Sequence, residues 1–216
     1  MNTISRWKRG LMLVLCLIGV LAFLTFHDQC MANFLAASGN PTLLGFAASH
    51  GMNLNRACTR DGSFPIVDAV ESRNRPSVTY LLSQKVDVNV RDNALATPLM
   101  IAAEEGETNM VKELIDAGAD VNAVDITGSS AVRYAARTGS YTITELLIKS
   151  GANINKPSKE GDTPLMMAAN GADRKLIDLL LKNGADRTQR DKNGRTALDH
   201  LPEPKDPVLI QALRPK

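Results

Sequence analysis

The chain has little of what marks catalytic or nucleic-acid-binding proteins. Its three histidines, His27, His50 and His200, are scattered. None has a second histidine, a cysteine or a carboxylate at the spacing a metal needs, so neither a metal site nor a cofactor is expected. No serine sits in a nucleophile turn, and no glycine-rich loop has the form of a phosphate cradle. An enzyme is therefore not expected. The net charge is only +2, and the first ten residues, with Arg6, Lys8 and Arg9 and no acid, supply +3. The body is left at −1, which offers nucleic acid no electrostatic footprint. Aromatic residues make up 4% of the chain, so the core must be built from Leu, Ala, Ile and Val rather than from large rings.

What the chain does have is a period. Gly118, Gly151 and Gly184 lie 33 residues apart, each followed by alanine and then Asp or Asn. Double alanines recur in the same register at Ala102-Ala103, Ala135-Ala136 and Ala168-Ala169. Thr97-Pro98-Leu99 returns as Thr163-Pro164-Leu165. A fixed period with ordered landmarks signals a repeat architecture.

One unit can be read from its residues. Thr97 caps a helix from its hydroxyl, and Pro98 suits the first helical position, where its missing N–H has no intrahelical partner. Ala102 and Ala103 let a second helix approach closely. Gly106 ends the first helix. Val111, Leu114 and Ile115 give the second helix an apolar face, which Gly118 closes. Residues 120–125 are polar and turn-rich, as a hairpin loop requires. Two short helices and a loop bury a core only against the next unit.

These residues resemble the ankyrin repeat, most closely at 163–169 and 179–186. The resemblance covers roughly residues 28–213. It implies an all-α solenoid of helix-turn-helix units joined by β-hairpin loops. The histidine that the family often carries after T-P-L is Met100, Arg133 and Met166 here. Residues 27–58 read as a degenerate first unit, 59–190 as four repeats and 191–216 as a capping repeat, whose prolines at 202, 204 and 207 leave room for a short closing helix. Lys85 stands where the closing glycine belongs and should weaken that turn. Proteins resembling this family bind other proteins through hairpin tips and first-helix ends. Carried over position by position, the partner-binding surface comprises Arg91, Asn93, Val124, Ile126, Pro157, Lys159, Glu160, Asp162, Arg190 and Lys192 from the hairpins, with Glu104, Glu105, Arg137 and Thr138 from the helix ends. Val124 and Ile126, apolar at an exposed tip, are the first choice as anchors. Glu104 and Glu105 face solvent or partner in this register, and His200, aligned with Met167, reads as a satisfied structural histidine.

Ahead of the repeats, residues 11–26 form a 16-residue apolar run behind a basic start. This is an export or anchoring segment, short for a spanning helix of about 20 residues. Two fates are open: cleavage, with Ala22 or Ala32 as sites, or retention as an anchor with the basic end in the cytoplasm. Both place the repeats across the membrane, in a bacterial periplasm on this reading. Contact with the membrane is expected only through 11–26 if it is retained. In an oxidising compartment Cys30 and Cys58 are near enough in the unit's register for a disulfide, with two free thiols as the alternative. The expected partner is a protein, either a toxin blocked by an immunity protein or an envelope enzyme that is protected. A membrane-anchored scaffold is the other reading. Apart from its partner the chain is expected to be a monomer.

Overall fold

The computed structural model describes residues 30–58 and 63–215. The apolar run at 11–26, Cys16 and Gly62 lie outside the described residues, as do the side chains of Cys30 and Met31. Among the described residues are eleven α-helices and one 3-10 helix. They pair as α1 (Cys30–Ala37) with α2 (Pro41–Ser49), α3 (Pro65–Glu71) with α4 (Arg75–Ser83), and α5 (Pro98–Glu104) with α6 (Thr108–Asp116). Then come α7 (Ala131–Arg137) with α8 (Tyr141–Lys149), and α9 (Pro164–Asn170) with α10 (Arg174–Lys182). The last unit has the 3-10 helix Ala197–His200 and α11 (Pro207–Leu213). First helices pack on first helices and second on second along the chain, which gives an all-α solenoid of helix pairs, as the resemblance implies.

The helices form where their termini are satisfied. The Thr97 hydroxyl accepts the Met100 N–H at 3.4 Å, and the Thr163 hydroxyl accepts the Met166 N–H at 3.3 Å, each followed by proline at the first position. Ser130, in the same slot, makes no such bond, and its hydroxyl is buried without a partner. Asn40 and Asp173 cap α2 and α10. The double alanines are all buried, as is the apolar stripe Met110, Val111 and Leu114 of α6. Each second helix before α11 turns out through a left-handed residue: Gly118, Gly151 and Gly184 have φ of 91°, 87° and 89°. Lys85 is forced into the same region, at φ 56°, where a side chain costs about 1–2 kcal/mol.

The loops differ from β-hairpins in one respect. Among the described residues no strand forms. Each tip loop closes with two backbone bonds, as from Asp125 N–H to Ser129 C=O at 3.1 Å and from Gly128 N–H back to Asp125 C=O at 3.0 Å. Other tip amides are taken by side chains and by the neighbouring loop, so no ladder lengthens. At the C-terminal end α11 closes the stack with buried Leu209 and Leu213.

Candidate partner-binding edge

Four successive loop tips share one local design. Asp92 Oδ1 accepts the N–H groups of Ala94 and Ala96, both at 2.8 Å. Asp125 Oδ1 accepts those of Thr127 and Ser129 at 2.8 and 2.9 Å. The Ser158 hydroxyl takes Glu160 and Asp162 at 3.2 Å, and Asp191 Oδ1 takes Asn193 and Arg195 at 2.8 and 2.9 Å. Tip is tied to tip by backbone bonds of 2.8 Å, from Ile126 N–H to Ala94 C=O, Lys159 N–H to Thr127 C=O and Lys192 N–H to Glu160 C=O. Lower in the loops an asparagine series does the same. The side-chain amides of Asn89, Asn122 and Asn155 donate to the carbonyls of Gly118, Gly151 and Gly184 at 3.3, 3.0 and 3.0 Å. Their Oδ1 atoms accept the N–H groups of Asp120, Asn153 and Asp186. The tips therefore form one continuous edge with its backbone groups satisfied.

Two acids are drawn inward by this design. Asp125 is buried, and burial works against its charge, but bonds from the Tyr134 hydroxyl, from Thr127 and from the Ser129 amide outweigh it and hold the carboxyl below its usual range. Tyr134 is pushed up to about 12, by burial and by its bond to Asp125. Asp191 is likewise buried, yet bonds from Arg195, Asn193 and His200 bring it down to about 2. The His200 ring nitrogen Nε2 lies 3.1 Å from Asp191 Oδ2, a contact that gives this histidine a structural place. Asp162, Asp191 and His200 converge closely enough to ligate a cation. However, Arg133 sits on Asp162 at 3.3 Å and Arg195 on Asp191 at 2.8 Å, so arginine already balances both carboxylates.

The tips present the remaining charge outward. Arg91, Asn93, Pro157, Lys159, Glu160, Arg190 and Lys192 are exposed there. Lys192 pairs with Glu160 at 3.0 Å, and Arg91 donates to the Val124 carbonyl at 2.8 Å. At the helix ends Glu104, Arg137 and Thr138 are exposed and Glu105 is half-buried. Glu104 pairs with Arg137 and Glu105 with Arg73, so these acids are engaged within the molecule. Asp162 is half-buried in its pair with Arg133.

The apolar part of the edge is Leu95 and Ile126. Ile126 is 52% exposed, while Val124 is half-buried. Leu95 is 45% exposed and has φ 60°. Its equivalents in the next three tips are Gly128, Gly161 and Gly194, all at positive φ. A Cβ on Gly128 or Gly161 would meet the next tip's backbone, at 2.9 Å from Lys159 N and 2.7 Å from Asp191 Cα. Leucine in a glycine slot bears left-handed backbone strain and leaves a large apolar side chain half in water. Sequence reasoning passed over Leu95. The signal was its alignment with the three glycines, since the apolar character of Ala94-Leu95-Ala96 looked ordinary.

The sequence pattern of ankyrin repeats in three copies matches residues 11–125 and 87–158, and the pattern of ankyrin repeats in many copies matches 147–201. No curated protein matches the chain significantly. The period, the paired helices stacked like on like, and these matches over most of the chain lead to one conclusion: the protein belongs to the ankyrin-repeat family.

Proposed function

We propose that this chain is a non-catalytic module, exported across a membrane, that docks a protein partner on its hairpin edge. Leu95 and Ile126 act as adjacent apolar anchors, and the exposed tip charges around them set orientation and specificity. The observation that carries this reading is Leu95 itself, a strained and exposed leucine where the neighbouring tips have glycine. Strained backbone gathers at binding and switch sites, and unlike the charged Lys85 and Arg73 at positive φ, Leu95 also leaves a large apolar side chain half in water. Family membership supports a protein as partner, since ankyrin repeats generally serve as non-catalytic binding modules. Export is supported by the apolar run at 11–26 and by Cys58, which is disulfide-bonded, a state suited to an oxidising compartment. We pair Cys58 with Cys30. In this setting the module inhibits a toxin as an immunity protein or protects an envelope enzyme.

The test is quantitative binding to the protein that co-purifies with the C-terminally tagged chain from native cells. Leu95→Gly and Ile126→Asp should each weaken that complex at least about tenfold, the effect of losing roughly 1.4 kcal/mol, with helical signal retained. Unchanged affinity in both variants would overturn the edge assignment.

A scaffold held at the membrane is the second reading. It is favoured by the brevity of the link, residues 27–29, between the apolar run and α1.

A further inference from the structure

The first unit exposes its apolar side chains more than the later units do at the same positions. Leu43 on α2 is 37% exposed. Its equivalents, Ser77, Met110, Ile143 and Leu176, are all buried, because the preceding unit covers them. Phe46, one turn on, is 45% exposed and stacks on the His50 ring with centroids 4.0 Å apart. Leu43, Phe46 and His50 follow the spacing of one helix face. On α1, Phe34 is 68% exposed, while Ala32 and Ala36 beside it are buried. A terminal unit needs a polar outer face to stay soluble. This one has two phenylalanines and a leucine.

In the register of Phe34, Tyr134 and His200 reach back nine residues, to Asp125 and Asp191 on the preceding loop. Nine residues before Phe34 is Thr25, at the end of the apolar run. From that end only residues 27–29 lead to α1, a reach of at most about 10 Å. So short a link keeps the end of the run within reach of the start of α1. Residues 11–26 hold no charge in any direction, unlike the amphipathic second helices α6 and α10. A segment apolar all round is set either in a protein core or in lipid, and the anchored form of the proposed function takes the second. At about 1.5 Å per residue it spans roughly 24 Å of a hydrocarbon layer about 30 Å thick. A run shorter than the layer draws its flanks toward the interface.

We infer that the end face formed by Phe34, Leu43 and Phe46 rests on the outer surface of the bilayer in which residues 11–26 are anchored, with the two phenylalanine rings in the interfacial layer. The inference rests on the anchored form of the proposed function. The stack then stands off the membrane from its first unit, and the hairpin edge is held at a fixed distance from the lipid.

The test uses the full chain in vesicles of phosphatidylcholine and phosphatidylglycerol. With Trp7, the chain's one tryptophan, replaced by Phe, a Phe34→Trp chain carries a single reporter, and a Tyr141→Trp chain is the control on α8. Alkali extraction of the same vesicles reports whether the chain is anchored. The expected result is an extraction-resistant chain whose emission is quenched by brominated phosphatidylcholine from position 34 and not from 141. Resistance without quenching at 34, whether emission is red-shifted in water or blue-shifted under protein, overturns the inference and leaves the anchor standing. Release by alkali overturns the anchor and the inference with it. As a second variant, Phe34→Glu with Phe46→Glu should leave the chain anchored and make a protease site near α1 accessible. Unchanged protease resistance counts against lipid contact.

Discussion

Four described residues other than glycine sit at positive φ, Arg73, Lys85, Leu95 and Ala172, each in a slot that is glycine in other units. Leu95 and Lys85 make the sharpest contrast. Their departures differ in meaning. Lys85 is an exposed charged residue ending a second helix, and replacing it by glycine should raise stability by about 1 kcal/mol, read as a higher urea midpoint. Leu95→Gly should stabilise by a similar amount and yet weaken partner binding, a separation that a merely tolerated leucine would not show. The carboxylates make a further claim. Asp125 and Asp191 have folded values below their unfolded ones, so each contributes stability present above about pH 4 that is lost in more acid solution, for Asp191 as pH falls toward about 2. Tyr134 is raised, so its contribution is present below pH 10 and is lost as pH climbs toward 12. Urea midpoints across pH should therefore fall at both ends. The acid limb should flatten in Asp191→Asn, and an unchanged acid limb would show that Asp191 is not held down in the folded state.

The loops add their own ties to the packing of helix on helix. The helices are short, from seven to nine residues, too short to be stable alone. Asn122 bonds to Gly151 C=O and Asn153 N–H, so Asn122→Ala removes two links between loops. At a net worth of about 1 kcal/mol per bond, discounted for exposure, the loss should be on the order of 1–2 kcal/mol in a chemical melt. The helix starts give a paired comparison. Thr163→Ala should cost about 1 kcal/mol, because its hydroxyl caps α9. Ser130→Ala in the equivalent slot should be neutral or stabilising, because its hydroxyl is buried without a bond. Equal costs at both sites would mean that the caps are not what holds the first helices.

At the scale of the whole molecule the sequence carried the architecture and left much of the surface unread. The period was legible because Gly118, Gly151 and Gly184 mark a backbone conformation that only glycine enters freely, and the double alanines mark a distance. Charge pairing was not legible in the same way. Glu104, Glu105, Asp162 and Glu160 read as partner-binding surface, yet each pairs with a cation 29 to 33 positions away, on the neighbouring unit. The stack sets such positions side by side, but only side-chain geometry decides which pairs close. Val124 and Ile126 show the same limit. Two positions apart in one loop, they differ in exposure because the Ile126 amide is tied to Ala94 and the Val124 carbonyl to Arg91. Leu95 escaped notice because a leucine between alanines is unremarkable until its φ is known.

The most direct measurement is the affinity of wild-type, Leu95→Gly and Ile126→Asp chains for the co-purifying partner, taken beside their melting curves. The account predicts that both variants lose at least about tenfold in affinity, the effect of roughly 1.4 kcal/mol, while Leu95→Gly melts higher than wild type. Undiminished affinity with that same rise in melting would contradict it, and would leave Leu95 as strain without a function.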